Sequence, residues 1–165
     1  MELYYRSPIG IIEIRGGVRG VESCTFLRGK KTARWLAAET EARLPAAPAA
    51  LREAYRQLAE YFDGRRTEFS VKLNLDGTPF QKKVWARLRE IPFGQTRSYG
   101  QVARSCGRPG AARAVGGANN RNPVVIFVPC HRVIGSDGSL TGFGGGLWRK
   151  KWLLQHEKKV LAAGA

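Results

Sequence analysis

Acidic residues are scarce in one half of this 165-residue chain. Beyond residue 76 the only Asp and Glu are Glu90, Asp137 and Glu157, against fifteen Lys and Arg, a balance of +12. Residues 1–76 hold thirteen basic and ten acidic side chains, a balance of +3. So one-sided a half predicts a polyanion partner, and nucleic acid fits it better than a membrane surface. Long apolar runs are also missing. None approaches the roughly 18–20 residues that cross a bilayer, so no membrane association is expected. Met1–Arg6 is charged and has no apolar core of a leader, which makes the cytoplasm the expected compartment. Cysteine is sparse, odd in number and scattered (Cys24, Cys106, Cys130), which excludes a disulfide framework. With two histidines and no Cys-x-x-Cys spacing, no metal site and no cofactor are expected. The length suits one domain or two small ones, without a covalent staple.

In chain order, Leu3–Arg6, Ile11–Arg15 and Val18–Leu27 read as strands of a small antiparallel sheet, with Gly16-Gly17 as a hairpin turn. Lys31–Arg43 reads as a helix. After a Pro/Ala loop, Leu51, Ala54, Tyr55, Leu58, Tyr61 and Phe62 recur at helical spacing up to Gly64. Acids thin out at Leu75-Asp76-Gly77, so the expected domains are 1–76 and 77–165. Thr78-Pro79 opens a helix whose apolar face is Phe80, Val84, Trp85, Leu88 and Ile91. Ser98-Tyr99-Gly100-Gln101 fits a capping box, and the helix it starts ends at Cys106-Gly107. A Gly-Pro turn then leads to Ala111–Ala118, completing a helix-turn-helix pattern. This last helix is almost all Ala and Gly around Arg113. Gly costs about 1 kcal/mol relative to Ala in a helix interior, so the small residues serve close approach, either to a narrow minor groove or to neighbouring core. Arg113 projects into a duplex on the first reading and sits in a salt bridge on the second.

The stretch Asn122–Val133 organises the rest. Val124–Val128 reads as a buried strand that stops at Pro129, delivering Cys130 and His131. The break at Pro129 lets both reach one pocket, directly or through a water. Glu157, on a final helix whose apolar face reads as Leu147, Trp148, Trp152, Leu153 and His156, is placed to orient His131. His156 itself reads as a core histidine. Asn122 can tie the turn to the pocket. Gly142–Gly146 lacks the Lys-Ser/Thr of a P-loop and reads as a loop over a pocket. Together these residues describe a DNA-binding protein with an activated cysteine.

Pro129-Cys130-His131-Arg132-Val133-Ile134 resembles the active-site motif of the O6-alkylguanine-DNA alkyltransferases, the methylated-DNA–protein-cysteine methyltransferases. Ala112–Ala118, Asn122-Pro123, Gly144–Leu147 and Leu153–Glu157 follow in that family's order and spacing, and Ser7–Gly10 and Tyr61–Gly64 resemble its N-terminal domain. The resemblance implies an α+β protein: a ribonuclease H-like N-terminal sheet with helices, and a mainly helical winged helix-turn-helix domain. It implies direct-reversal repair by base flipping and one irreversible alkyl transfer from O6-methylguanine, with O4-methylthymine as a second substrate, to Cys130. His131, through a water, and Glu157 deprotonate the thiol, Asn122 braces its turn, and Tyr99 donates to guanine N3. Val133, Gly144 and Phe143 hold the flipped base. Arg113 fills the stack, while Ser98, Ala112, Ala114 and Gly117 face the DNA. The implied partner is duplex DNA carrying O6-alkylguanine, bound by a monomer in solution that can assemble cooperatively on DNA. Family members with Tyr and Ser at the positions of Phe143 and Gly144 have hydroxyl contacts this chain lacks. Three other readings remain: an alkyltransferase-like protein, though that class lacks the cysteine; a winged-helix regulator with Cys130 as filler; and a cysteine hydrolase.

Overall fold

The structure, a computed structural model, describes residues 1–29 and 33–164. The chain forms two compact units, Met1–Leu75 and Asp76–Ala165. In the first, β1 (Glu2–Ser7), β2 (Gly10–Gly17) and β3 (Gly20–Phe26) make an antiparallel sheet in that order. Leu3 faces Ile14 and Ile14 faces Cys24, all fully buried. The glycine pair expected to be the hairpin turn belongs to β2 instead, and Val18-Arg19 makes the turn. A register shift between Arg15 and Gly16 bends the strand there. A Cβ on Gly16 would sit 2.3 Å from the Gly20 carbonyl oxygen, so the bulge requires glycine.

Helix α1 covers Ala33–Arg43; the expected start at Lys31 and Thr32 lies outside the described residues. Helix α2 (Ala49–Phe62) lays Leu51, Ala54, Leu58 and Tyr61 into the core, as their spacing predicts. Tyr55 is expected in the core, and its ring meets Tyr5 edge-on at 5.4 Å.

In the second unit, α3 (Pro79–Arg89) starts with a full capping box, Thr78 accepting from Gln81 N and Gln81 Oε1 accepting from Thr78 N. It buries Val84, Trp85 and Leu88, with Ile91 beyond its end; Phe80 is half-buried beneath the Arg108 guanidinium. The Ser98/Gln101 capping box starts α4 (Tyr99–Ser105). Gly107, at φ 72, turns the chain toward α5 (Ala112–Asn120). Trp85 Nε1 donates to the Ala118 carbonyl at 2.9 Å and fixes α5 to α3. Strands β4 (Arg97–Ser98) and β5 (Val133–Ile134) pair in parallel, which sets the start of α4 beside the Cys130 segment.

Two expectations fail here. Val124–Val128 is buried but is not a strand. It folds into a tight turn closed by a bridge between Val125 and Val128, with Ile126 at φ 73. The amides of Phe127, Val128 and Cys130 return to Val125, Val124 and Val128 at 2.8–3.0 Å. An apolar run in a core reads alike as strand or turn, because burial leaves no periodicity. The second failure is the face of α6 (Leu147–Ala163). Its buried residues are Lys150, Leu153 and Glu157, while Trp148 is 57% exposed. His156 is half-buried and stacked on Trp152 at 5.0 Å, not a core histidine. A lysine and a glutamate share the inward face with Leu153, so the apolar stripe finds one of its three buried residues.

Among the described residues, no helix is long and apolar enough to cross a membrane. Nor does any group of three or more His, Cys, Asp or Glu there fit a metal ion.

Candidate active site and DNA-facing helix

Asn122 builds the turn that carries the thiol. Its Oδ1 accepts from Val124 N at 3.0 Å and its Nδ2 donates to the Val128 carbonyl at 2.8 Å. These bonds hold Ile126 in the left-handed region, which costs an L-residue roughly 1–2 kcal/mol. The strain is sustained because the Ile126 side chain is fully buried. One helical turn, Cys130–Arg132, then rotates successive side chains away from strand alternation.

His131 and Glu157 are both 0% exposed, and His131 Nε2 lies 2.7 Å from Glu157 Oε1. Arg132 joins the same carboxylate through Nε at 3.0 Å and Nη2 at 2.9 Å, while its Nη1 donates to the Ile91 carbonyl. Gly94, at φ 77, adds its amide to Glu157 Oε2 at 2.9 Å. A Cβ there would meet only the tip of the exposed Leu161 side chain, which can move, so it is the positive φ that calls for glycine. Burial pushes the Glu157 carboxyl up, but His131 and Arg132 pull it down further, and it rests well below the usual carboxylate range. An ionised carboxylate only accepts. His131 Nε2 therefore carries the proton it shares with Glu157, and Nδ1 presents a lone pair. Burial lowers the imidazole's own proton affinity, so it is a neutral base at rest.

Cys130 is buried, and burial pushes its thiol up to about 11 against smaller pulls from Asn122, Lys150 and nearby amides. Lys150 is fully buried with a proton affinity pushed down to about 8 by that burial, opposed by Cys130. Its Nζ donates to the Thr141 carbonyl at 2.7 Å, and the Tyr99 hydroxyl donates to the same carbonyl at 2.9 Å. Two donors from α4 and α6 thus clasp the start of the glycine-rich loop. Phe143 is buried within that loop and its carbonyl accepts from Gly146 N at 2.9 Å; Gly144 is exposed, and a Cβ there would touch nothing within 4 Å. Val133 is buried on β5, and its amide donates to the Cys130 carbonyl.

On α5, Arg113 is exposed and makes no hydrogen bond or ion pair among the described residues, which removes the salt-bridge alternative. Ala114 and Gly117 are exposed, Ala112 is half-buried, and a Cβ on Gly117 would meet nothing within 4 Å. The helix therefore offers a smooth surface around one free guanidinium. Ser98 is half-buried and its hydroxyl oxygen serves as the α4 cap.

Sequence reasoning missed three side chains: Arg132, Lys150 and Asn119. Arg132 stands inside the Cys-His motif, and Lys150, Leu153 and Glu157 share a helical face at i, i+3, i+7, which is the signal that finds Lys150. Asn119 carries no local signal. Its Nδ2 donates to the Cys130 carbonyl at 3.3 Å.

A buried thiol beside an imidazole–carboxylate pair, in a strongly basic unit with a small-residue helix, defines a DNA-binding protein with a nucleophilic cysteine. Known proteins sharpen that class. Residues 2–75 match the ribonuclease-like domain of 6-O-methylguanine DNA methyltransferase, and residues 79–159 match its DNA binding domain. A methylated-DNA–protein-cysteine methyltransferase of Methanosarcina acetivorans is 48% identical over 157 residues, covering 93% of this chain and 95% of the relative. The crystal structure of Mycobacterium tuberculosis O6-methylguanine methyltransferase is 45% identical, with a TM-score of 0.79 over 96% of this chain and 94% of that one. The Mycobacterium tuberculosis protein in complex with DNA superposes with a TM-score of 0.82 at the same identity, over 96% of this chain and 93% of that one. The chain belongs to the methylated-DNA–protein-cysteine methyltransferase family.

Proposed function

We propose that this protein repairs alkylated DNA by moving the alkyl group from O6 of guanine to Cys130, once per molecule. The observation that carries the reading is the fully buried His131–Glu157 pair next to a buried thiol, on a unit with fifteen basic and four acidic side chains. The base leaves the stack through the minor groove, at a cost of a few kcal/mol, and Arg113 takes its place. Ala112, Ala114, Gly117 and Ser98 lie against the DNA backbone and groove. Tyr99 exchanges the Thr141 carbonyl for guanine N3, so the loop yields as the base enters. Val133 and Gly144 hold the base by their backbones, and Phe143 encloses it.

The Cys130 proton passes through a water to His131 Nδ1, and Glu157 stabilises the resulting imidazolium. The sulfur then attacks the alkyl carbon as the carbon–O6 bond breaks. No group in the site is suited to cleave the thioether, which is why the transfer is stoichiometric. O6-methylguanine is the principal substrate and O4-methylthymine a second one. The protein acts in the cytoplasm, as a monomer in solution that can assemble cooperatively on DNA.

The test is incubation with duplex DNA carrying labelled O6-methylguanine, followed by digestion. One equivalent of label on the Cys130 peptide is expected, and none on Cys130→Ser, whose DNA affinity survives. Absence of covalent label on the unsubstituted protein would sink the reading.

A further inference from the structure

Two buried polar atoms in this site, His131 Nδ1 and Asn119 Oδ1, have no hydrogen-bond partner among the described residues. Both belong to residues at most 2% exposed. Both also lie next to one peptide group: His131 follows Cys130, and Asn119 Nδ2 donates to the Cys130 carbonyl at 3.3 Å. That bond fixes the amide's orientation, because a carbonyl only accepts. The Asn119 oxygen is thereby turned away from the Cys130 carbonyl and left without a donor. A buried polar atom without a partner costs about 1–3 kcal/mol, so two such atoms on residues that flank the Cys130 peptide call for a shared occupant.

We propose that Asn119 is a positioning residue for proton transfer, its side-chain oxygen and His131 Nδ1 together holding the water that relays the Cys130 proton. The inference rests on the reading of Cys130 as alkyl acceptor with His131 as its base. The hydrogen-bond inventory closes. A water has two protons to donate, and the two orphaned atoms are both acceptors. With both protons committed, its lone pairs face the Sγ–H. Buried waters typically make about three hydrogen bonds, and this one makes three. Without Asn119 the water keeps two partners and is free to rotate.

The step balances. Sγ–H passes its proton to the water as the water passes one to Nδ1. The S–C bond forms as the C–O6 bond breaks, and the electron pair moves onto O6 and into the ring. Guanine, released as its oxo form, takes one proton on a ring nitrogen, matched by the one the His131 imidazolium gives up, so that S–H plus O–alkyl become S–alkyl plus N–H. Asn119 lies on α5, the helix that carries Arg113. The recognition helix therefore supplies one wall of the relay.

A double-mutant cycle tests this. Transfer rates to Cys130 are measured with free O6-benzylguanine and with duplex O6-methylguanine, in light and heavy water, for Asn119→Leu, His131→Ala and the double variant. Leu matches Asn in shape and lacks both polar atoms. Asn119→Leu is expected to slow transfer roughly tenfold to a hundredfold, as the loss of one buried hydrogen bond implies. In the His131→Ala background the same change costs less than twofold. Equal losses in both backgrounds would reduce Asn119 to a packing residue, and no loss in either would remove it from the relay. If Asn119→Leu melts early or loses duplex binding, Asn119→Ala decides. It removes the oxygen without adding bulk, so it should slow transfer to free O6-benzylguanine roughly tenfold or more with His131 present and less than twofold in the His131→Ala background, and an equal loss in both backgrounds overturns the proposal. A failure of the parent reading looks different, since the unsubstituted protein would then leave Cys130 unlabelled.

Discussion

Replacing Glu157 with Gln removes one negative charge from a site with no solvent access and leaves Arg132 almost unpaired. Glu157 is 0% exposed and accepts from His131, from two nitrogens of Arg132 and from Gly94 N. After the change the guanidinium, itself 5% exposed, keeps the Ile91 carbonyl and the Phe93 ring at 5.6 Å. Breaking a buried pair by removing one partner costs about 3–5 kcal/mol. For a chain of this size that is a loss of roughly 6–20 °C in Tm. The pH dependence has a definite sign. Glu157 is held below its unfolded value, so its stabilisation is complete above about pH 4.3 and is lost only as the pH falls from there. The gap between the two proteins in urea melts should be constant from pH 8 to pH 7 and no smaller at pH 5, because losing Glu157 lowers the His131 proton affinity further, and it should begin to close below about pH 4. Replacing the pair together, as Glu157→Gln with Arg132→Met, should recover much of the loss, because an uncompensated charge is what costs most. A difference under about 1 kcal/mol at pH 7, or one that shrinks between pH 7 and pH 5, would refute the picture of a buried, ionised Glu157.

Other changes probe α5, the basic charge and the turn. Arg113→Ala should slow repair in duplex DNA far more than reaction with free O6-alkylguanine; equal losses would mean that the exposed guanidinium has no part in opening the stack. Duplex affinity should fall steeply between 50 and 200 mM salt, and a flat response would undercut the electrostatic argument. Ile126→Gly relieves roughly 1–2 kcal/mol of left-handed strain but empties a fully buried site, at about 2–5 kcal/mol. Urea melts should therefore show net destabilisation, and a stabilised variant would mean that the turn, not the side chain, is the weak point. Lys150→Met should flatten one feature of the stability profile. Lys150 is held below its unfolded value, so its charged form opposes folding at low pH, and the cost is relieved as pH rises from about 8 toward 10.5. The Met variant should lack that rise in urea melts, whereas an unchanged profile would place the ammonium in solvent.

The parts of this protein that were legible in its sequence are those where local chemistry decides. Ser98 and Gln101 form their capping box because the two residues satisfy each other's backbone partners within one turn. Leu51, Ala54, Leu58 and Tyr61 meet the core as their spacing requires, and the one polar side chain buried among them, Gln57, is satisfied by Ser70. The charge step near residue 76 was visible in composition alone, as was the Cys-His-Arg motif. What stayed hidden depends on partners distant in sequence. Asn119 and Cys130 are eleven residues apart, and only the packing of α5 brings the amide onto that carbonyl.

The two misread segments share one cause. In Val124–Val128 the apolar side chains are equally buried in a strand or a turn, so hydrophobicity cannot choose; Asn122 chooses, by closing the turn at both ends. In α6 the apolar residues point to a face holding Leu147 and Trp148, yet both are exposed. The helix instead turns Lys150 and Glu157 inward, because Arg132, His131 and Gly94 give the carboxylate four donors and Thr141 gives the ammonium an acceptor. Burying those two charges is costly unless they are paired, and the helix accepts exposed tryptophan to do it. A helix that buries a lysine and a glutamate beside Leu153 while two of its large apolar side chains stay in solvent is oriented by the partners of those two charges, His131, Arg132, Gly94 and Thr141.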